Sequence, residues 1–374
     1  MMQIKTMQIN DARLKNCMKR AQKGEALTIG FFGGSITQGC AASVHERCYA
    51  YRVFEWWKQA FPKAEFSYVN GGIGGTDSHF GVSRVWQDLL MYQPDVVILD
   101  FSVNDMTDDP GRTEEFFKET YEGLVRRILT ARTSPALLIL NNVCYATGEN
   151  IQKAHNQIGD WYGIKHVSMK DTLYAGIQAG TYTMQELTQD GLHPNDRGHE
   201  LAAAQITALL EETRLSVMDM SEEESEGEIP RPVTANAYEN ARRLTSRETE
   251  PYLFGFHTDT REKTGHLDLF KNGWSGKKPG ERILFEETAS CIAIQYRKSV
   301  AKPALRAKAV LDGDESHAWI LDGSFDEDWG DSAQITMILH HGEKKMHRVE
   351  IEILDDGLDE ETAVPFYLMA LIAA

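Results

Sequence analysis

The chain is short of positive charge: 39 Lys and Arg stand against 56 Asp and Glu in 374 residues, a formal net charge of −17. Nucleic acid is gripped by clustered Lys and Arg, so no nucleic-acid partner is expected, and no anionic membrane surface either. Cysteine is scarce and unpatterned. Cys17, Cys40, Cys48, Cys144 and Cys291 are odd in number and contain no CxxC pair, which favours a reduced cytoplasm over a disulfide framework or a zinc site. No run of 18 apolar residues occurs, so no transmembrane helix is expected. The stretch MMQIKTMQINDARLKNCMKRAQ lacks the continuous apolar segment of a secretory signal.

What is present is ordinary globular composition, 42% hydrophobic and 25% charged, in a length that suggests two domains. Asn10 or Asp11 is positioned to cap a first helix with Leu14, Cys17, Met18 and Ala21 on one face. Apolar runs then alternate with helical patterns. ALTIGFF, FSYVN (66–70), DVVILDFSV (95–103), ALLILNNV (136–143) and KHVSM read as strands. Helical spacing covers 46–61 (Tyr49, Val53, Trp56 and Ala60 inward), 78–92, 113–132 (Phe117, Tyr121, Leu124, Val125 and Ile128 inward), 149–162 and 198–215. Strands alternating with helices imply βαβ crossovers and a parallel sheet covered on both faces. The first 215 or so residues therefore read as a doubly wound α/β domain.

At 218–234 the texture changes. MDMSEEESEGEIPRPVT places six acids in ten residues ahead of two prolines, most simply a solvated linker. Beyond it, short alternating runs such as RILFEETASCIAIQYRKS, ALRAKAVLDG, HAWILDG, QITMILHHG, MHRVEIEIL and VPFYLMALIAA are separated by Gly and Asp turns. That spacing predicts an antiparallel β-sandwich. The expected division is 1–217, a linker at 218–234, and a sandwich over 235–374.

Three stretches follow strand ends of the first domain, where open parallel sheets bind ligands: GGSITQG (33–39), NGGIGGTDS (70–78) and SVND (102–105). A fourth, DGLHPND (190–196), precedes the last helix. A P-loop fails because Cys40 stands where the lysine belongs, and a dinucleotide fingerprint fails because Asp77 replaces the third glycine. The GxSxG elbow fails at Thr37. A hydrolytic reading survives. Gly191 permits a tight turn and Pro194 restricts His193 to an extended conformation. Asp190 can then hold one imidazole nitrogen of His193 and leave the other for Ser35. Backbone N–H groups at Ser35 and at a glycine of the second loop, with the Asn104 amide, are candidate oxyanion donors.

In that order the Ser of GGSIT, the glycine of NGGIGG, the Asn of SVND and the DGLHP motif resemble the four blocks of the SGNH (GDSL-type) hydrolases over roughly residues 25–215. The resemblance implies a flavodoxin-like three-layer α/β/α domain and a serine esterase with no metal or organic cofactor. It implies Ser35 as nucleophile, His193 as base, Asp190 as its orienter, and Asn104 as the side-chain oxyanion donor. Gly75 is the implied block-two glycine over Gly72 and Gly74, because family members read Asn-x-x-x-x-Gly and Asn70 to Gly75 matches. The first block departs from the GDSL wording, with Gly34 in place of Asp. Joined to a β-sandwich of carbohydrate-binding-module type, the chain is similar to two-domain carbohydrate O-acetylesterases, among them the acetyl-mannan esterases of gut Firmicutes. The implied substrate is an acetylated oligosaccharide. A lysophospholipase or thioesterase of the same superfamily is the rival within the enzyme class, and a carbohydrate-binding protein without activity is the rival outside it.

Other polar residues read more blandly. Asp105 is a turn or helix-capping aspartate rather than a metal ligand with Asp190 and His193. His199 reads as a local cap or surface residue, His155 as structural, and His79 as lining the cleft or facing solvent. Trp319, in AWIL, reads as core. Trp329, in the polar loop FDEDWGDS, is a candidate substrate contact as a lid over the cleft, or a sugar platform elsewhere.

Overall fold

In a computed structural model, residues 9–106, 111–217, 226–359 and 361–374 are described, and the acidic run at 218–225 lies outside them. The chain divides into two compact units, Met1–Glu239 and Asn240–Ala374. Among the described residues no helix is long and apolar enough to cross a membrane.

The first unit is built on five parallel strands, β1 (Leu27–Gly33), β2 (Phe66–Asn70), β3 (Val96–Asp100), β4 (Ala136–Asn141) and β5 (Lys165–Ser168). Their spatial order is β2-β1-β3-β4-β5, the flavodoxin-like order, whose direction reverses between β1 and β3. β3 and β4 are buried at every position, which is why their sequences are apolar throughout rather than alternating. Helices Ile9–Gln22, Tyr49–Ala60 and Asp196–Val217 pack together on one face, where Leu14, Met18, Tyr49, Val53, Trp57, Ile206 and Leu210 meet Leu27, Ile29 and Phe31 of β1. Helices Ser78–Asp88, Glu114–Leu129 and Gln152–Trp161 form the other layer.

Helix ends follow local chemistry. Thr113 accepts the Phe116 N–H, and Glu114–Leu129 carries Glu114 and Glu115 in its first turn and Arg126 and Arg127 in its last, as the helix dipole favours. Two sequence expectations are corrected here. Asn10 does not cap the first helix; it exchanges two hydrogen bonds with the Leu137 backbone of β4, at 2.6 and 2.7 Å. In Tyr49–Ala60 the fully buried indole is Trp57, while Trp56 and Ala60 are only half-buried, because the buried face is centred on Tyr49, Ala50, Val53, Phe54 and Trp57.

Residues 226–239 run along this unit as a strap. The fully buried Glu122 carboxylate accepts the N–H groups of Val233 and Thr234, each at 2.7 Å, and the Tyr162 hydroxyl at 2.6 Å. Glu119 accepts the Ala237 N–H at 2.8 Å, and Arg126 donates to the Pro230 carbonyl and to Glu239. Gly123 is needed where the strap crosses, since a Cβ there would lie 2.9 Å from the Glu239 nitrogen.

The second unit is antiparallel. One sheet orders Trp319–Asp322, Arg306–Leu311, Lys345–Ile353, Arg282–Ala289 and Tyr252–Phe254. The other orders Ser332–Leu339, Ile292–Lys298, Phe366–Ala373, Trp274–Gly276 and His257–Thr258, with Arg242–Leu244 also paired to Phe366–Ala373. Their inner faces share a core of Ile283, Phe285, Ile294, Leu321, Val349, Ile351 and Leu368, with Trp274 buried and Trp319 packed at its margin. This is the expected sandwich.

Candidate active site

β1 ends at Gly33, and Ser35 opens a single helical turn, Ser35–Gln38, closed by Gly39 at φ 101°. The glycines before Ser35 serve close approach, not positive φ. A Cβ on Gly33 would lie 2.3 Å from the Asp100 carbonyl oxygen, and one on Gly34 would lie 2.0 Å from Asn104 Oδ1. With no side chain at either position, the strand end nests against the end of β3.

The other half of the site is the turn Asp190–His193, whose Gly191 takes φ 78°, a conformation side chains rarely adopt. One Asp190 oxygen accepts the N–H groups of Leu192 at 2.9 Å and His193 at 2.8 Å; the other meets His193 Nδ1 at 2.7 Å. Partial burial pulls the Asp190 carboxyl upward, but the bonds from His193 and Leu192 outweigh it and hold it well below the usual carboxylate range. An ionised carboxylate only accepts, so the Nδ1 proton belongs to His193 and Nε2 is left as acceptor. Nε2 stands 2.8 Å from Ser35 Oγ. Residues 158 apart in sequence thus share one hydrogen bond, at a length suited to proton transfer.

The second loop and Asn104 also come up to Ser35 and its neighbour Gly34. Asn70 sets the second loop by donating to the Thr37 carbonyl at 2.8 Å and accepting the Gly72 N–H at 2.8 Å. Gln38 Oε1 accepts the Gly74 N–H at 2.7 Å. The Gly75 N–H, at φ 67°, has no partner among the described residues, and neither has the Ser35 N–H. Gly74 lies beside the serine, a Cβ on it being 3.5 Å from Ser35 Cβ. The Asn104 amide, half-buried, rests against Gly34.

Arg84, which no motif singled out, ties two of these loops together. The buried Arg84 guanidinium lies over the Phe32 ring and donates to the Gly71 carbonyl at 2.7 Å and the Gly33 carbonyl at 3.1 Å, with Asp88 as its counter-charge. Asp105 turns into the core, accepting the Ser78 N–H at 2.7 Å and meeting His155 Nε2 at 2.8 Å, with the Tyr121 ring stacked on that imidazole. Burial holds the Asp105 carboxyl above its usual range even against His155. The helix that starts at Ser78 is capped by Asp77, which accepts the Phe80 N–H at 2.9 Å, while Asp105 takes the Ser78 N–H from a neighbouring loop and has His155 as its buried partner.

Two histidine expectations fail. His79 neither lines a cleft nor faces solvent; it is buried edge-on between the Phe116 and Tyr238 rings. His199 is fully buried, bonded to Tyr49 N and the Cys40 carbonyl. The available signal was its placement three residues after Asp196 on the opening turn of the last helix, one face with it. Trp329 belongs to the second unit, with 54% of its surface exposed and its indole edge-on to Phe325 at 5.0 Å.

A family model described as the GDSL-like lipase/acylhydrolase family matches residues 31–201. The chain is 46% identical to a solved two-domain esterase active on acetylated mannans, co-crystallised with mannopentaose, with a TM-score of 0.89 over 96% of this chain and 94% of that one. A second structure of a two-domain esterase active on acetylated mannans gives 46% identity, a TM-score of 0.90 and the same coverage. No curated protein matches the chain.

Proposed function

The chain belongs to the GDSL-like acylhydrolase family, the SGNH hydrolases, and on that premise we propose that it is a serine esterase removing O-acetyl groups from mannan-type oligosaccharides. The observation that carries the mechanism is the continuous line from Asp190 through His193 to Ser35 Oγ, at 2.7 and 2.8 Å.

Ser35 Oγ attacks the acetyl carbonyl while His193 Nε2 takes its proton, and Asp190 stabilises the imidazolium so formed. The negative oxygen of the tetrahedral intermediate is received by the Ser35 N–H, the Gly75 N–H and the Asn104 amide. Donors already aimed at that position need no reorganisation as charge develops. Gln38 supports this choice of glycine, because it occupies the Gly74 N–H and leaves that of Gly75 unspent. Collapse of the intermediate expels the sugar oxygen, which receives the proton from His193. Water, deprotonated by the same imidazole, then releases acetate from Ser35.

The work is divided between a catalytic domain and a sandwich, read from the sequence as 1–217 and 235–374 with a joining stretch at 218–234, and the bonds from residues 230–239 to Glu119, Glu122 and Arg126 favour counting that last part with the catalytic domain. Trp329 contacts the sugar, its half-exposed indole being the kind of flat apolar face that pyranose rings stack on. Five cysteines, all outside disulfides, support a reducing, cytoplasmic site of action on oligosaccharides already taken up.

The test is mass spectrometry of acetylated manno-oligosaccharides before and after treatment, with Ser35→Ala as control. Loss of acetyl masses by the wild type and none by the variant is expected. Retained deacetylation by Ser35→Ala, or a preference for long acyl chains on nitrophenyl esters, overturns the reading.

A further inference from the structure

Ser35 and His193 come from separate segments, and proton transfer between them requires their heavy atoms to stay within hydrogen-bond reach. The chain from Cys40 to Tyr49 joins the serine's helical turn to helix Tyr49–Ala60, and among the described residues its hydrogen bonds to the last helix end on two side chains, Asp196 and His199. Asp196 accepts the Ser43 N–H at 2.8 Å, the Ser43 hydroxyl at 2.7 Å and Arg47 Nη1 at 2.6 Å. His199 holds the two ends of the segment: its Nδ1 is 3.3 Å from the Tyr49 nitrogen and its Nε2 is 3.1 Å from the Cys40 carbonyl oxygen. Accepting an N–H at Nδ1 fixes the proton on Nε2, which then donates to Cys40. The imidazole is therefore neutral and held in one tautomer.

The connection continues to the serine. The Tyr49 ring stacks on His199, its hydroxyl meets Thr37 Oγ1 at 2.8 Å, and Thr37 lies in the turn that Ser35 opens. On the other side, Asp196 and His199 lie three and six residues after His193, and Asn195, just ahead of Asp196, caps their helix by accepting the Arg197 and Gly198 N–H groups. Five hydrogen bonds thus connect the nucleophile's loop to the base's helix, and all five end on these two side chains.

We infer that Asp196 and His199 are positioning residues, a clasp that sets the distance between Ser35 Oγ and His193 Nε2 without touching substrate. The inference rests on the Ser35–His193 reading above. Its signature is a fall in kcat with KM left in place, because the clasp acts on alignment of the reacting groups and not on sugar contacts.

The experiment measures kcat and KM on nitrophenyl acetate, per active site titrated with a fluorophosphonate, for His199→Phe, His199→Asn, His199→Gln, Asp196→Asn and Arg47→Ala, with melting curves alongside. His199→Phe keeps the stacking on Tyr49 and loses both bonds, and should cost about 10²-fold in kcat, the scale of a misplacement of about 1 Å. Asn retains an acceptor near Nδ1 and Gln a donor near Nε2, so each should recover part of that loss. Asp196→Asn and Arg47→Ala act at a partly exposed position where folding is not at stake, and should lower kcat by smaller factors with melting unchanged. Wild-type kcat in Asp196→Asn and Arg47→Ala overturns the clasp, as does a His199 series whose melting falls while kcat per titrated site holds. Ser35→Ala separates the two readings: activity in that variant defeats the nucleophile assignment, whereas a dead Ser35→Ala beside fully active clasp variants defeats the clasp alone.

Discussion

Replacing Gly34 with alanine would set a methyl carbon 2.0 Å from Asn104 Oδ1 and 2.8 Å from its Cγ. Real contacts of this kind do not close below 3.0 Å, so the amide must withdraw by about 1 Å or more, a displacement that costs about 10²-fold when it falls on a reacting geometry. Gly34 has a negative φ of −90°, and the group that must yield is the end of a half-buried side chain, so the fold should accept the methyl with little change in melting temperature. The loss should appear in turnover. Removal of one oxyanion donor costs about 10²–10³ in kcat, or about 2.7–4 kcal/mol, and Asn104→Ala should show the same. The decisive measurement is the double variant. Once Asn104 is alanine the methyl at position 34 has nothing left to displace, so Gly34→Ala/Asn104→Ala should be about as slow as Asn104→Ala alone. Acetate release at saturating substrate reads all four proteins. Gly34→Ala turning over like the wild type, or a double variant whose loss is the product of the two single losses, would refute the reasoning.

Three further outcomes are expected. Asp190 stays ionised far into acid because its carboxyl is held well below the usual range, so it adds no proton to the acid limb of kcat/KM, whose slope should not exceed one; a slope of two would mean that Asp190 titrates within it. Burial drives His199 down to about 4, with Arg52 and His193 adding to the effect and the Cys40 carbonyl and Asp196 opposing it. The unfolded chain then binds more protons between about 4 and 6.5, so His199 stabilises the fold fully above about 6.5 and loses that contribution, roughly 3 kcal/mol, as the pH falls to about 4. Chemical denaturation across that window should be flatter in His199→Gln, and an unchanged slope would contradict the burial argument. Glu122→Ala leaves the N–H groups of Val233 and Thr234 and the Tyr162 hydroxyl without their acceptor, which should cost about 2–4 kcal/mol of stability; a melting temperature within error of wild type would show that the strap is not held there.

The sheet was legible because its central strands are apolar at every position, and only a strand covered on both faces demands that. The loops of the site were legible because glycine, serine and asparagine fall where those strands end, and the histidine falls in the turn before the last helix. What the sequence hid is the partner of each polar side chain. Asn10 has the residue type of a cap, and nothing local says that the Leu137 backbone will take its amide. His79 and His199 are equally plausible on a surface; one is enclosed by Phe116 and by Tyr238, more than 150 residues onward, and the other by Tyr49, far upstream. Trp56 and Trp57 differ by one step of a helix whose buried face is set by β1 and the last helix. Short strands such as Tyr252–Phe254 and Trp274–Gly276 offer three residues each, too few for alternation to register.

The strap has a practical meaning for anyone who wishes to study the hydrolase half separately. A cut after Val217 would look natural on the sequence, yet it would discard the backbone amides that Glu119 and Glu122 need and strip Arg126 of two acceptors. The fragment so made would carry an uncompensated acid inside its own helix layer. A boundary placed beyond Glu239 keeps every one of those groups matched, and is where a self-sufficient hydrolase fragment should end.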